Sequence, residues 1–415
     1  MITVYKALRF ILIFNLLWLL ATGRLLANPM LKKITVDGYE REYLVYLPQN
    51  TEQEKINGML VCLHGFGRSM DDFFETYNIS SVADSLNMMI VAPQALPEQN
   101  QRVNQLATTI SSLTDNQISL HSVWGCGLRI KANLLLLGTN ILNEELNKDV
   151  DDVNFIDRMI DRVLSDNSIP AENLFVLGTS MGGFMTYQYA LKKGKRLAGI
   201  ISIAGSMGLD IKGMEMGIKI PVCDFHSLTD EVVPYNGYFI QYLSVISLAL
   251  PKAEVISYWT KLNATGTPVT EQIKYYPSTN GITVEKITYP DPDYEVIHYK
   301  ITGASHSYFF KKEAGDCMDH VEEIKRFIQK HSIQTTANAP LFAKQKPVFY
   351  PNPVIDRVFL SVTDGFVTMY DLTGRKILSQ PFINGQADLS YLKAGVYMIE
   401  ILSGAVSYTA ILLKK

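Results

Sequence analysis

The segment from Leu174 to Lys193 constrains the fold of this chain more than any other. An apolar run, Leu174-Phe175-Val176-Leu177, leads directly into Gly178-Thr179-Ser180-Met181-Gly182, and a helical pattern follows as far as Lys193 before Gly194 stops it. A short apolar run bounded by glycine suits a strand buried on both faces of a parallel sheet. Passing from strand to helix within one residue requires a sharp turn, and flanking glycines let neighbouring backbone pass without a Cβ clash. The G-x-S-x-G spacing therefore predicts a strained turn with Ser180 at its apex. The competing reading is a glycine-rich helix start in which Ser180 is only an N-cap.

The same punctuation recurs around this segment. Ile34 to Leu47 alternates about Asp37-Gly38, which reads as a hairpin. Met59 to Leu63 is a second buried run, ending at His64-Gly65-Phe66-Gly67, and Met88 to Ala92 is a third. Ile156, Met159, Ile160, Val163 and Leu164 fall on one stripe of a helix. Further apolar strands read at Leu197–Ile203, Ile220–Phe225 and Tyr294–Ile301, and Val321, Ile324, Phe327 and Ile328 mark a last amphipathic helix. Strands alternating with helices predict an α/β unit whose mostly parallel sheet is covered on both faces. Leu96 to Val150 has no clear period and reads as a long connection carrying local structure.

Both ends of the chain differ from this pattern. Lys6 and Arg9 precede a short apolar stretch to Leu20, and the small residues Ala21, Gly23 and Ala27 follow. That arrangement predicts a secretory signal peptide over residues 1–27 rather than a membrane span, which needs about 20 apolar residues. The α/β unit is then expected over 28–332. Residues 333–346 turn to Thr, Ala, Asn, Pro and Lys and read as a linker. Residues 347–415 read as short strands and turns, a small C-terminal β-sandwich in which Ser403-Gly404 separates two alternating strands. At 415 residues, one large and one small domain are a natural division. A net charge of -3 gives no electrostatic support for a nucleic-acid partner.

A serine needs a base to become a nucleophile, and a histidine base needs an acid to orient it. On a sheet of this kind the partners follow the serine in the order acid, then histidine. Asp230 lies just beyond the strand ending at Phe225, at the carboxyl edge of the sheet. Asp224, inside that strand, and the adjacent Glu231 are weaker candidates. Of seven histidines, His64, His121 and His226 come too early, His298 lies within a strand, and His320 and His331 belong to the last helix. His306 remains, in the loop Gly303-Ala304-Ser305-His306-Ser307. An oxyanion formed at the serine would be met by backbone N–H groups of Met181 and of Phe66. His64 is expected to brace the Phe66 loop. No metal-ligand spacing and no phosphate loop is present, so neither metal nor cofactor is expected.

With these residues in place, the stretch from about Lys32 to about Lys330 resembles the polyhydroxybutyrate depolymerase and feruloyl esterase group of α/β-hydrolases. Its motifs are Tyr46-Leu47-Pro48, Leu63-His64-Gly65-Phe66-Gly67, Asp151-Asp152-Val153-Asn154-Phe155-Ile156, the Ser180 turn, and His226-Ser227-Leu228-Thr229-Asp230 with Val233-Pro234-Tyr235. Trp259, Tyr289 and the His306 loop complete the order. The resemblance implies the triad Ser180, Asp230 and His306. Ala304-Ser305 stands where that group carries glycine, and Ser307-Tyr308 replaces its Trp-Pro, so the resemblance leaves the substrate open. The last segment resembles the C-terminal sorting domain of type IX secretion substrates, through Tyr350-Pro351-Asn352-Pro353, Tyr370-Asp371-Leu372-Thr373-Gly374-Arg375, Gly395-Val396-Tyr397 and the terminal Lys414-Lys415. That implies export through secretion machinery to the exterior or the cell surface.

The expected function is a secreted serine ester hydrolase acting on a polymeric ester substrate, such as polysaccharide feruloyl or acetyl groups or polyhydroxyalkanoate. A serine peptidase of the same fold and an inactive surface-binding protein are the alternatives. Cys62 and Cys223 fall in buried strands and read as small apolar residues, whereas Cys126 and Cys317 fall in loops and are candidates for a disulfide.

Overall fold

A computed structural model describes residues 29–333 and 349–415, apart from 50–55, 115–118, 133–141, 209–217 and several stretches of one to three residues. The expected signal peptide and linker fall outside the described residues, save for Ile333. The chain separates into two compact units, one ending at Ile333 and one beginning at Gln334.

Ten strands of the first unit form one sheet: β1 (Met30–Val36), β2 (Tyr39–Tyr46), β3 (Met59–Leu63), β4 (Met89–Pro93), β5 (Leu174–Thr179), β6 (Gly199–Ile203), β7 (Val222–Ser227), β8 (Val269–Gln272), β9 (Thr283–Tyr289) and β10 (Val296–Thr302). Their spatial order is β1-β2-β4-β3-β5-β6-β7-β10-β9-β8. Pairing is parallel from β4 through β10 and antiparallel toward both edges. The helices that matter for the site are α1 (Asp152–Asp166), α2 (Met181–Lys193), α3 (Lys252–Asn263) and α4 (His320–His331). This topology is the α/β-hydrolase fold.

The apolar runs read from the sequence are the central strands, and each is buried along its whole length. Alternate side chains serve opposite faces. Met59, Val61 and Leu63 pack into one core cluster, while Leu60 and Cys62 pack into the other. Asp37 and Gly38 both have positive φ, 50° and 83°, and join Val36 to Tyr39 as a two-residue hairpin turn. Helix α1 is capped by the Asp151 side chain, which accepts from the Asn154 N–H at 2.9 Å, and it buries Phe155, Ile156, Met159, Ile160 and Val163.

The long connection from Leu96 to Val150 contains a helix, Gln101–Thr114, and two short strands, Arg129–Ala132 and Leu142–Glu145. Those strands pair with each other, and Arg129–Ala132 also pairs with Val245–Ser247, which in turn pairs with Ile240–Tyr242, so that a distant part of the chain completes a second four-stranded sheet. Three- and four-residue strands that pair across about 100 positions leave no local period to read. Strand β8 escapes the sequence for another reason: all four of its residues are exposed.

All four cysteines are free and buried. Cys126 packs in one core cluster and Cys317 in the other, on opposite faces of the sheet, so the disulfide considered between them does not form. Both lie in apolar surroundings, where burial pushes their thiols up.

The second unit is a seven-stranded sheet over one apolar core that includes Val358, Val367, Met369, Ile399, Ile401 and Leu412. Val354 donates to Leu413 O at 2.7 Å and accepts from Lys415 N at 2.9 Å, which ties the start of this unit to its last strand. Strands Gly395–Ser403 and Val406–Lys414 pair along their full lengths, and residues 404–405 between them lie outside the described residues.

Candidate active site

Ser180 sits between β5 and α2 with φ 52° and ψ -120°, a conformation that non-glycine residues rarely adopt. Its side chain makes no cap hydrogen bond to the helix, which sets aside the N-cap reading. The turn is held by Ser180 N–H donating to Ile203 O at 2.8 Å, at the end of β6. Two of its glycines are obligatory on steric grounds. A Cβ on Gly182 would lie 1.9 Å from Leu63 O, and one on Gly178 would lie 2.1 Å from Gly182 O.

Three separate loops converge on the serine oxygen. His306 Nε2 is 2.8 Å from Ser180 Oγ, and His306 Nδ1 lies 2.9 and 2.8 Å from the two carboxylate oxygens of Asp230. With Nδ1–H donating to the carboxylate, Nε2 is left as the acceptor for the serine proton. Asp230 follows β7, is buried, and accepts from the Val232 and Val233 N–H groups at 2.9 and 2.8 Å. Burial alone would raise its carboxyl, but the His306 hydrogen bond and the neighbouring imidazoles hold it below the usual carboxylate range. Asp224 faces Lys252 and His298.

The loops carrying the acid and the histidine are stitched together by residues that sequence reasoning passed over. Ser227 Oγ and Thr229 Oγ1 both donate to Ala304 O, at 2.6 and 2.8 Å, two residues before His306. On the far side of the histidine, Tyr308 donates to the buried Asp316 at 3.0 Å, so the tyrosine standing in place of the proline anchors its loop.

The loop after β3 approaches the serine from the other side. A Cβ on Gly65 would lie 3.3 Å from Ser180 Cβ, which puts His64-Gly65-Phe66 directly against the nucleophile. Among the described residues, neither the Phe66 nor the Met181 N–H is taken up by a carbonyl. His64 braces this loop, as expected. Its Nε2 accepts from the Ala95 N–H at 3.1 Å, and Trp124 Nε1 donates to His64 O at 2.9 Å. Burial lowers the His64 pKa to about 4, so the ring is neutral. Next to Trp124, the Gly125 N–H donates to Asp152, which is paired at 2.6 Å with the equally buried Arg41. Asp152 of the Asp-Asp motif thus supports the loop network around the serine, a role that only the folded chain reveals. Among the described residues, no group of three or more His, Cys, Asp or Glu is placed to hold a metal ion.

Residues 141–246, which include Ser180 and Asp230, match the phospholipase/carboxylesterase family. The first unit has the α/β-hydrolase fold, and the match to this esterase family lies within it. Residues 348–415 match the secretion system C-terminal sorting domain, and the chain is thereby addressed to the exterior or the cell surface. Among described proteins, the chain is 29% identical over 128 residues to "Probable feruloyl esterase C" of Aspergillus niger, covering 30% of this chain and 46% of that one. It is 28% identical over 124 residues to the protein of the same name in Aspergillus clavatus, covering 29% and 44%. The esterase-like chain thus spans less than half the length of these relatives. Among solved structures, an acetyl xylan esterase from Aspergillus awamori aligns over 72% of this chain and 99% of its own, with TM-score 0.46 and 13% identity. An S-formylglutathione hydrolase from Agrobacterium tumefaciens aligns over 72% and 94%, with TM-score 0.40 and 11% identity. Among the described residues, no helix is long and apolar enough to cross a membrane.

Proposed function

We propose that this protein is an exported serine carboxylic ester hydrolase with Ser180 as nucleophile, His306 as general base and acid, and Asp230 as the orienting acid. The observation that carries this reading is the continuous line Ser180 Oγ, His306 Nε2, His306 Nδ1 and Asp230, every contact of which is 2.8 or 2.9 Å. His306 takes the serine proton as Oγ attacks the ester carbonyl. The oxyanion of the tetrahedral intermediate accepts hydrogen bonds from the Phe66 and Met181 N–H groups. As the intermediate collapses, His306 returns its proton to the departing alcohol, and the acyl group stays on Ser180. Water, activated by the same histidine, releases the acid and restores the serine. The strained backbone at Ser180 costs on the order of 1–3 kcal/mol and sets the hydroxyl ready for attack.

The substrate is an ester borne by an extracellular polymer, with feruloyl or acetyl groups of plant polysaccharide favoured over polyhydroxyalkanoate. The feruloyl esterase relatives and the sorting domain support that preference. The test is a panel of p-nitrophenyl acetate, methyl ferulate, acetylated xylan, 3-hydroxybutyrate oligomers and aminoacyl amides. The expected outcome is turnover of acetyl or feruloyl esters with amides left intact. Amide turnover comparable to ester turnover would favour the peptidase alternative.

A further inference from the structure

Beneath the loop that carries Asp230 lies a second polar array that the acyl-transfer steps do not use. Asp224, in the middle of β7, is fully buried. Its Oδ1 accepts from Tyr187 OH at 2.8 Å and Lys252 Nζ at 2.7 Å, and its Oδ2 from His298 Nδ1 at 2.8 Å. On the other side of that imidazole, Nε2 lies 2.8 Å from Tyr235 OH. In the tautomer that gives its Nδ1 proton to the carboxylate, Nε2 accepts and the phenol is the donor. The array thus runs unbroken from Tyr235 through His298 to Asp224.

The array also reaches the acid loop by other connections. Lys252 Nζ donates to Gly205 O at 2.6 Å, beside the helix that follows Ser180. His226 lies between Gly205 O at 3.1 Å and Val233 O at 2.8 Å, and 3.6 Å from Asp230 Oδ2. A neutral His226 has one proton to give; with Lys252 already serving Gly205 O, it is free to serve Val233. The Lys252 N–H holds Tyr235 O at 2.9 Å. The loop from Asp230 to Tyr235 is thus gripped near its middle by His226 and at its far end by Tyr235.

Burying a carboxylate and an ammonium costs desolvation that their attraction does little more than offset, so such a pair is weak evidence for stability. What it does supply is geometry at its open end. We propose that Tyr235, anchored through His298 to Asp224, is a positioning residue for Asp230 that keeps the acid loop in the register where the carboxylate meets His306 Nδ1. This rests on the reading of Ser180, His306 and Asp230 as the acyl-transfer triad. A loosened Asp230 stabilises the imidazolium less, which slows the chemical step and makes His306 easier to deprotonate.

The test compares full-length wild type and Tyr235→Phe on p-nitrophenyl acetate. The substitution removes a single oxygen from a half-buried ring. Expected are a fall in kcat of about tenfold with KM unchanged, and an acidic limb of the kcat/KM profile moved to lower pH by roughly half a unit. His298→Gln, whose amide oxygen still offers an acceptor to Tyr235, should retain more of kcat than His298→Leu. A purely structural tyrosine would lower Tm and leave the pH limb in place, and that result overturns the proposal. So does a Tyr235→Phe enzyme with wild-type kcat. A wild-type protein that neither turns over esters nor reacts with a fluorophosphonate would overturn the triad reading, and this proposal with it.

Discussion

Ser180 and Gly65 meet across a gap too narrow for a methyl group without a small shift. A methyl group on Gly65 would stand 3.3 Å from Ser180 Cβ, tighter than side chains normally pack. Gly65→Ala should therefore leave the fold intact while displacing either the serine or the adjoining Phe66 N–H by a few tenths of an ångström. Small misplacements of a reacting group are costly, so kcat on a short p-nitrophenyl ester should fall by about 10- to 100-fold with Tm nearly unchanged. Wild-type kcat in Gly65→Ala would mean that this loop does not take part. At this scale, chain order alone brought Ser180, Asp230 and His306 forward as a set, and the folded chain brings His306 within hydrogen-bonding distance of both Ser180 and Asp230. Ser227, Thr229, Trp124 and Asp152 were not legible as site residues. Each acts through a partner 27 to 77 positions away, a distance at which local pattern carries no information.

Helix α4 shows how an element can carry a condition on its own stability. Its first residue, His320, is buried against the rings of Phe225, Phe309 and Phe310 and accepts from the Phe310 N–H at 2.7 Å. Burial lowers its pKa from 6.5 to about 3. The folded state therefore holds the neutral ring, while the unfolded chain takes up a proton near its ordinary pKa. The stabilisation is fully present above about pH 6.5 and is lost progressively as pH falls toward the folded value, by on the order of 4–5 kcal/mol for a fully buried histidine. His320→Asn keeps an acceptor for Phe310 and removes the titrating group. Its Tm should decline less steeply than that of wild type between about pH 6.5 and pH 4.5. Parallel curves would show that His320 does not govern acid sensitivity. The helices and central strands were legible because burial on one or both faces writes a period into the sequence. Strand β8, exposed at every residue, and the second small sheet, assembled from distant insertions, write none.

Across the molecule, chemistry and address are carried by different units of the chain. Residues 141–246 match an esterase family and residues 348–415 a secretion sorting domain. Free cysteines on opposite faces of the sheet leave the first unit to be held by its core rather than by cross-links. The loop Leu228–Asp230 and the loop ending at His306 leave adjacent parallel strands, β7 and β10, although 76 positions separate acid from base. That adjacency is a property of strand order, which composition and period do not encode, and it is what turns three scattered residues into one site. The central claim is that Ser180 is a nucleophile activated by His306. Its most direct test is intact-mass measurement after exposure to a fluorophosphonate probe, for wild type, Ser180→Ala and His306→Ala. One adduct per chain on Ser180 in wild type, none in Ser180→Ala and labelling slowed by orders of magnitude in His306→Ala is the predicted result. An unlabelled wild type, or an adduct that persists in Ser180→Ala, would contradict it.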